Sequence, residues 1–226
     1  EQSAYWVTED TIAWEAAESS ANAYELCYAP EGGLEATIDG IVTPDDGGCI
    51  ALTRDPAGLS AAVKEKFPHL AELPALKIAA ADLDMAPEML KGQIAVSALS
   101  AEGVSQAATG LQIQGVLDDL YTYEGDLGVT WSSGVPTGQG PASLASNVPT
   151  IRVWAPTAKN VALHLFADSN PATASTVFPM TRDAATGVWS ITGEAGWKDQ
   201  YYLFEVDVWV NSTRQVENNL VTDPYS

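Results

Sequence analysis

The chain has 226 residues, of which 30 are Asp or Glu and 10 are Lys or Arg, giving a formal net charge of −20. This balance argues against nucleic acid or anionic lipid as a partner, because both bind clustered Lys and Arg. The 46% apolar content suffices for one large or two ordinary domains, and no run of about 18 apolar residues predicts a membrane-spanning segment.

Alternating apolar and polar residues predict a first series of short strands separated by Gly, Pro and Asp turns. These strands are predicted at 5–8, 11–15, 23–29, 34–38, 48–53, 76–80 and 93–99. Leu59, Val63 and Phe67 share one helical face, so a helix is predicted from Leu59, with Pro68 ending it. A second short helix is predicted at 86–91, with a proline in its first turn.

A composition change after Tyr123 predicts a domain boundary. Residues 125–150 are rich in Gly and Pro and predict a linker, within which the loop 132–148 is expected to be poorly ordered. Strands resume at 149–155, 160–166, 175–180, 187–192, 200–210 and 214–221. We therefore predict an all-β chain of two β-sandwiches, at 1–124 and 151–226, the second immunoglobulin-like and the first carrying one or two short helices.

The motifs of enzymes and metalloproteins are missing from the sequence. No nucleophile elbow, zinc-binding helix, phosphate loop or calcium loop is present, so we predict neither a catalytic residue, a metal site nor a cofactor. Asp118 and Asp119 are interpreted as a solvated helix turn rather than a catalytic pair. The two cysteines, Cys27 and Cys49, each lie in a predicted strand, and either a disulfide or two buried thiols would fit.

Seven tryptophans are a large number for this length and raise the question of sugar binding, since pyranose rings bind flat aromatic faces. Trp154 alternates with Val153 and precedes Pro156, so it is predicted to pack at a strand end. Trp189 lies between Val188 and Ser190 and is predicted to be packed rather than free. Trp197 follows a turn glycine, and Trp209 lies opposite an apolar stripe of its strand, so these two are the better candidates for exposure.

Several segments resemble a known family. The second half resembles the family 48 carbohydrate-binding module that precedes the catalytic barrel in type I pullulanases and limit dextrinases, through "IRVWAPTAKNVALHLF", "FPMTRDAATGVWSI", "GWKDQYYLFEVDVWV" and "VENNLVTDPYS". The first half resembles the β-rich domain just ahead of that module, through "AYWVTEDTIAW", "LSAAVKEKFPHLAEL" and "GVLDDLYTY". The resemblance thus covers nearly the whole chain.

The resemblance implies a function that the residues alone do not show. Such enzymes hydrolyse α-1,6 linkages in pullulan, amylopectin and limit dextrins with a (β/α)₈ barrel, which this chain does not contain. The chain would then be a non-catalytic N-terminal part that docks on and stabilises the barrel. The resemblance also implies an extracellular or secreted enzyme, with α-glucan as a further partner and with calcium as an ion that the whole enzyme could hold.

The sequence departs from the glycan-binding pattern of the family at one point. Glycogen-binding members place a Lys between two Trp, whereas the corresponding strand here reads "QYYLFEV". We therefore favour docking, and keep as the alternative a glucan site built from Trp197, Lys198, Trp209 and Asn211. A docking role also predicts an exposed apolar surface on the second domain, around 151–166 and the C-terminal end.

Overall fold

The structure is a computed structural model that describes residues 2–19, 22–131, 148–170 and 172–225. The chain divides into two compact units: unit 1 comprises Glu1–Leu120 with Trp209–Val216, and unit 2 comprises Tyr121–Val208 with Glu217–Ser226. The sequence predicted a division near residue 125. It did not predict that the turn Trp209–Val216 groups with the first unit. No helix in the described ranges is long and apolar enough to cross a membrane.

Unit 1 is built around seven strands that close into a barrel in the order β1-β2-β7-β6-β3-β8-β9, with β4 and β5 forming a separate hairpin. Their bounds are β1 Gln2–Thr8, β2 Thr11–Trp14, β3 Ala23–Ala29, β4 Glu35–Thr37, β5 Gly40–Val42, β6 Gly48–Asp55, β7 Ala75–Ile78, β8 Gln93–Leu99 and β9 Ser105–Gln112. The helices are α1 Ala61–Lys66, α2 Ala86–Met89 and α3 Gln114–Leu120, with 3-10 turns at Pro68–Leu70 and Leu83–Met85.

The all-β class is confirmed, but the architecture of unit 1 differs from the predicted sandwich. The barrel closes because β9 pairs in parallel with β1, with Ala4 opposite Leu111. Alternation within a strand shows which residues face inward but not which distant strand completes the sheet. Trp6, Ile12 and Leu26 are fully buried inside unit 1.

Helix α1 lies where the sequence predicted it. Ser60 caps its start by accepting a hydrogen bond from the Val63 backbone at 3.3 Å, and Pro68 opens a 3-10 turn after the helix. Val63 joins a buried cluster with Val7 and Leu70. Neighbouring residues of a strand point to opposite sides of the sheet, yet Trp6 and Val7 are both buried. Trp6 lies inside unit 1, and the cluster covers Val7 on the other side of β1.

Unit 2 consists of two four-stranded sheets that share one core. One sheet has the order β10-β11-β15-β14 and the other the order β13-β12-β16-β17. The bounds are β10 Gly128–Trp131, β11 Pro149–Trp154, β12 Asn160–Phe166, β13 Thr176–Pro179, β14 Thr181–Arg182, β15 Val188–Thr192, β16 Tyr201–Val210 and β17 Gln215–Val221, with a 3-10 turn at Ala195–Trp197. The shared core contains Ile151, Val153, Leu163, Trp189 and Phe204, as expected of a sandwich.

The segment predicted as a linker contains regular structure. Strand β10 pairs antiparallel with β11, with Val129 opposite Ile151 and Trp131 opposite Pro149. The Gly and Pro content of the segment concealed this strand, since only four residues of it are strand-like. Nearly all of the loop predicted at 132–148 lies outside the described residues.

Candidate functional site

The side of the β13-β12-β16-β17 sheet that faces away from the core of unit 2 is called the outer face here. On β16 the residues Tyr202, Phe204 and Val206 pack inward against the core, so Leu203 and Glu205 project to the outer face. The register places Leu203 opposite His164 and Glu205 opposite Ala162 on β12. The outer face therefore combines apolar and ionisable side chains from neighbouring strands.

A hydrogen-bonded network occupies the middle of the outer face. His164 Nε2 lies 2.6 Å from Glu205 Oε2, and His164 Nδ1 lies 2.9 Å from Ser175 Oγ. The Asn218 amide donates to Glu205 at 2.9 Å and to Asp207 at 2.7 Å. The hydrogen bond from Asn218, and next that from His164, lower the pKa of the Glu205 carboxyl. The network links strands β12, β16 and β17, and its polar groups form hydrogen bonds with one another across these strands.

Large apolar side chains surround this network. On the outer face Val177 is 50% exposed, Tyr201 55% and Leu220 51%, and Val221 and Tyr225 are also exposed near the C-terminal end. Val177 lies directly opposite His164, and Tyr201 opposite Phe166, so the apolar residues adjoin the polar centre. A grouped set of exposed apolar side chains is typical of a surface that another protein domain covers.

The C-terminal residues are fixed against unit 2 by a buried carboxylate. Asp223 is buried, accepts a hydrogen bond from the Tyr202 hydroxyl and accepts another from the Tyr225 backbone at 2.8 Å. Burial, followed by the hydrogen bond to Asp223, raises the pKa of Tyr202. Gly128 has φ +74, and a side chain there would press on Tyr225. These contacts hold Tyr225 at a defined place while its ring stays exposed.

The predicted sugar-binding residues fall into two pairs. Trp197 is half-buried in unit 2, where its ring centroid lies 4.7 Å from that of Phe178, and a Cβ on Gly193 would lie 2.3 Å from the Trp197 ring. Lys198 follows it and is exposed. Trp209, grouped with unit 1, donates from Nε1 to Asn211 Oδ1 at 2.8 Å. The structure thus joins Trp209 to Asn211 within unit 1, whereas Trp197 and Lys198 are consecutive residues of unit 2.

The remaining tryptophans of unit 2 divide between core and surface. Trp189 is buried in the core and donates to the Ala155 carbonyl at 3.0 Å. Trp154 is half-buried at the end of β11, where it donates to the Thr186 carbonyl at 3.0 Å, so it is packed at a strand end as predicted. Trp131 is 45% exposed at the end of β10. Its exposure fits its place among the sequence candidates for a sugar-binding aromatic face, although its segment was interpreted as a linker.

The two cysteines form a disulfide with an S–S distance of 2.04 Å, and they are directly opposite each other on β3 and β6. Glu25 lies with the two sulfurs in the only group of three potential metal ligands found within the described ranges. Sulfurs bonded to each other are not thiolates, so this group lacks the ligands that a metal ion would need.

The carboxyl groups with clearly shifted pKa values point away from acid catalysis. The pKa values of Asp10, Asp168 and Glu205 are all lowered, because hydrogen bonds to each carboxylate together outweigh the effect of burial. A glycosidase acid needs the opposite, a carboxyl whose pKa is raised so that it holds its proton near neutral pH. None of these three groups is suited to that role.

Comparison with known proteins identifies the family. Residues 1–119 match the model of the pullulanase N2 domain, and residues 127–226 match that of carbohydrate-binding module 48 (isoamylase N-terminal domain). The chain is 35% identical to pullulanase 1, chloroplastic, of Arabidopsis thaliana over 99% of the chain and 21% of the relative, and 32% identical to pullulanase of Klebsiella pneumoniae over 99% of the chain and 19% of the relative.

The solved structures agree with this result. The crystal structure of apo pullulanase from Klebsiella pneumoniae superposes with a TM-score of 0.82 at 30% identity, covering 100% of this chain and 22% of that one. The chain thus spans about a fifth of the length of the curated relatives it matches. The chain belongs to the pullulanase N2 domain family, and its second half is a carbohydrate-binding module 48 domain.

Proposed function

We propose that this chain is the non-catalytic N-terminal part of a starch-debranching pullulanase that hydrolyses α-1,6-glucosidic bonds in pullulan, amylopectin and limit dextrins. Its units dock on the catalytic (β/α)₈ barrel of the same enzyme and stabilise it. The observation that carries the proposal is the apolar outer face of unit 2, with Val177, Tyr201 and Leu220 each about half exposed. The relatives are several times longer than this chain. Their additional length leaves room for the catalytic domain that we propose as the docking partner.

The chemistry of the outer face favours a protein partner over a sugar. Where glycogen-binding family members carry a Lys, the strand here presents Leu203 and Glu205. His164 and Asn218 both bond to Glu205, so few of the polar groups of these three residues remain for sugar hydroxyls. A covered apolar side chain contributes about 1.5–3 kcal/mol relative to an exposed one, which gives a docked face of this kind a substantial stabilising effect.

Charge substitution on the outer face tests docking in the whole enzyme. Tyr201→Asp combined with Leu220→Asp should shorten the half-life of pullulan-hydrolysing activity at elevated temperature at least tenfold, because two buried contacts become buried charges. The matched control is Ile38→Asp on unit 1, where Ile38 is 69% exposed. The isolated 226-residue chain should unfold at the same temperature with and without the double change. Unaltered inactivation of the double variant would refute docking through this face.

The match to carbohydrate-binding module 48 supports a second candidate, in which the chain itself binds α-glucan. Its residues are those predicted from the sequence: Trp197, Lys198, Trp209 and Asn211. Lys198 and Asn211 are exposed, so their replacement by Ala leaves the core intact, while Asn211→Ala also removes the acceptor of the Trp209 Nε1 hydrogen bond. Calorimetric titration with maltoheptaose tests this candidate. Binding that weakens in Lys198→Ala or Asn211→Ala supports it, and binding that is absent or equal in all variants excludes this site.

We also propose that the enzyme works in an oxidising, extracellular compartment. The Cys27–Cys49 disulfide supports this proposal, because disulfides persist outside the reducing cytosol. Mass spectrometry of the protein after alkylation in its native host is the test. Two alkylated cysteines in the untreated protein would contradict the proposal.

A further inference from the structure

Unit 1 contains a small pocket between the second half of β1, the turn Pro68–Leu70 and the junction of β9 with α3. Its volume is about 190 Å³, and its lining includes Tyr5, Phe67, His69, Gln112 and Gln114. We propose that this pocket binds a single glucosyl unit of an α-glucan. The site lies in the N2 domain, outside the module 48 region, and the identity of the sugar rests on the proposed starch-debranching function.

The pocket is built by two local features of the sequence. At Gly115 a Cβ would lie 2.8 Å from Val7 Cα and 2.9 Å from Val7 O, so glycine lets α3 lie directly against β1. The end of α1 forms the opposite wall. Phe67 closes the helix by donating its backbone N–H to Val63 O at 2.8 Å, and the 3-10 turn that follows carries His69 to the pocket.

Three aromatic rings frame the opening. His69 stands edge-on to Tyr5, with ring centroids 6.2 Å apart, and edge-on to Phe67 at 6.4 Å. Tyr5 and Phe67 pack against a buried cluster and are half-buried, which fixes their orientation. Rigid rings of this kind offer apolar faces to the C–H groups of a pyranose, and the tyrosine and histidine add polar atoms beside them.

The polar groups in the pocket are neutral amides and an imidazole. Gln112 donates from Nε2 to the Gln2 carbonyl at 3.1 Å, which orients its amide and leaves its carbonyl oxygen as an acceptor. The Gln114 amide and the His69 ring nitrogens have no hydrogen-bond partner in the part of the chain that the structure describes. They can therefore donate to or accept from sugar hydroxyls.

The charge of the lining selects the class of ligand. The chain has 30 acidic and 10 basic residues, yet no Asp, Glu, Lys or Arg lines this pocket. The nearby Lys66 lies over the Phe67 ring, with Nζ 5.3 Å from the ring centroid, and is paired with Asp118 at 3.2 Å. A phosphate or a metal ion would find no counter-charge in the lining, whereas a neutral hydroxylated ring needs none. The volume is also smaller than the ~300–1,000 Å³ of sites for drug-sized ligands, which fits one hexose ring.

Amide chemical-shift mapping of the 226-residue chain with maltotriose tests the proposal. We expect saturable shifts at the backbone amides of His69, Leu70, Gln114 and Gly115, with a Kd of about 1–10 mM, as expected for one sugar ring. Gln114→Ala and His69→Ala should each weaken binding about fivefold, since each removes one hydrogen bond. Gln106→Ala is the matched control, because Gln106 is an exposed glutamine on β9 outside the pocket.

Two results would overturn the proposal. The first is the lack of shifts around the pocket at about 20 mM maltotriose, or shifts confined to unit 2, which would instead support the module 48 site. The second is equal binding by wild type, Gln114→Ala and His69→Ala. The docking proposal is tested separately, by thermal inactivation of enzyme variants changed on the outer face. Docking can therefore be refuted while this sugar site is confirmed, and this site can be refuted while docking is confirmed.

Discussion

Opening the Cys27–Cys49 disulfide should destabilise unit 1 to a degree set by the loop that it closes. The two cysteines are 22 residues apart in sequence and lie opposite each other on β3 and β6. Reduction leaves both side chains in place, so it removes the cross-link without creating a cavity. The expected loss therefore comes from the unfolded chain, which gains conformational freedom when the loop is opened.

The size of this effect follows from loop-closure entropy. For a loop of about 22 residues the entropy term amounts to about 3.4 kcal/mol at 25 °C. In a unit of this size each kcal/mol moves the unfolding temperature by about 4 °C. We therefore expect reduction to lower the unfolding temperature of unit 1 by about 14 °C. Unit 2 contains no cysteine and its transition should stay where it is.

Calorimetry with and without a reductant measures this shift directly. A variant with Cys27→Ala and Cys49→Ala controls for other effects of the reductant, because its transition should be the same under both conditions. A wild-type transition that moves by less than about 3 °C would show that loop closure is not the source of stability at this site.

Three further perturbations test the packing and electrostatics of the two units. Phe204→Ala should destabilise unit 2 by about 3–5 kcal/mol in urea unfolding, because Phe204 is fully buried. Gly115→Ala should destabilise unit 1 by about 1–3 kcal/mol in the same assay, since the added Cβ meets the backbone of β1. The pKa of Glu205 is lowered by its hydrogen bonds from Asn218 and His164. Its contribution to folding stability is therefore fully present above the unfolded pKa of about 4.3 and is lost progressively as pH falls from there through the lower folded pKa. Glu205→Gln should accordingly flatten the acid limb of a stability–pH curve, and an unchanged limb would contradict the assignment.

The sequence predicted those features that depend on local patterns. The α1 helix followed from the spacing of Leu59 and Val63, and the inward face of β16 from alternation around Phe204. The packed positions of Trp154 and Trp189 followed from the same alternation. Each of these depends on residues close together in the chain, where periodicity and turn chemistry carry the information.

Features that depend on distant pairing were not predictable in this way. Barrel closure requires β1 to pair with β9, which brings Ala4 opposite Leu111. The pocket of unit 1 likewise joins Tyr5 to His69 and to Gln114, from three separate segments. The residue pattern within one strand or helix does not predict which distant segments contact each other. The missing charge in the pocket lining becomes visible only after the three segments are assembled.

The polar groups of the two units favour different roles for them. On the outer face of unit 2, His164 and Glu205 are bonded to each other, and Asn218 bridges two carboxylates. Polar groups satisfied in this way gain little from a sugar, while the apolar residues around them gain from burial under a protein partner. In unit 1 the amide of Gln114 stands beside fixed aromatic rings without such a partner within the described ranges. A sugar hydroxyl could replace water at the Gln114 amide at little cost in free energy. The polar groups therefore favour sugar binding by unit 1, and the satisfied network with its apolar surroundings favours docking through unit 2.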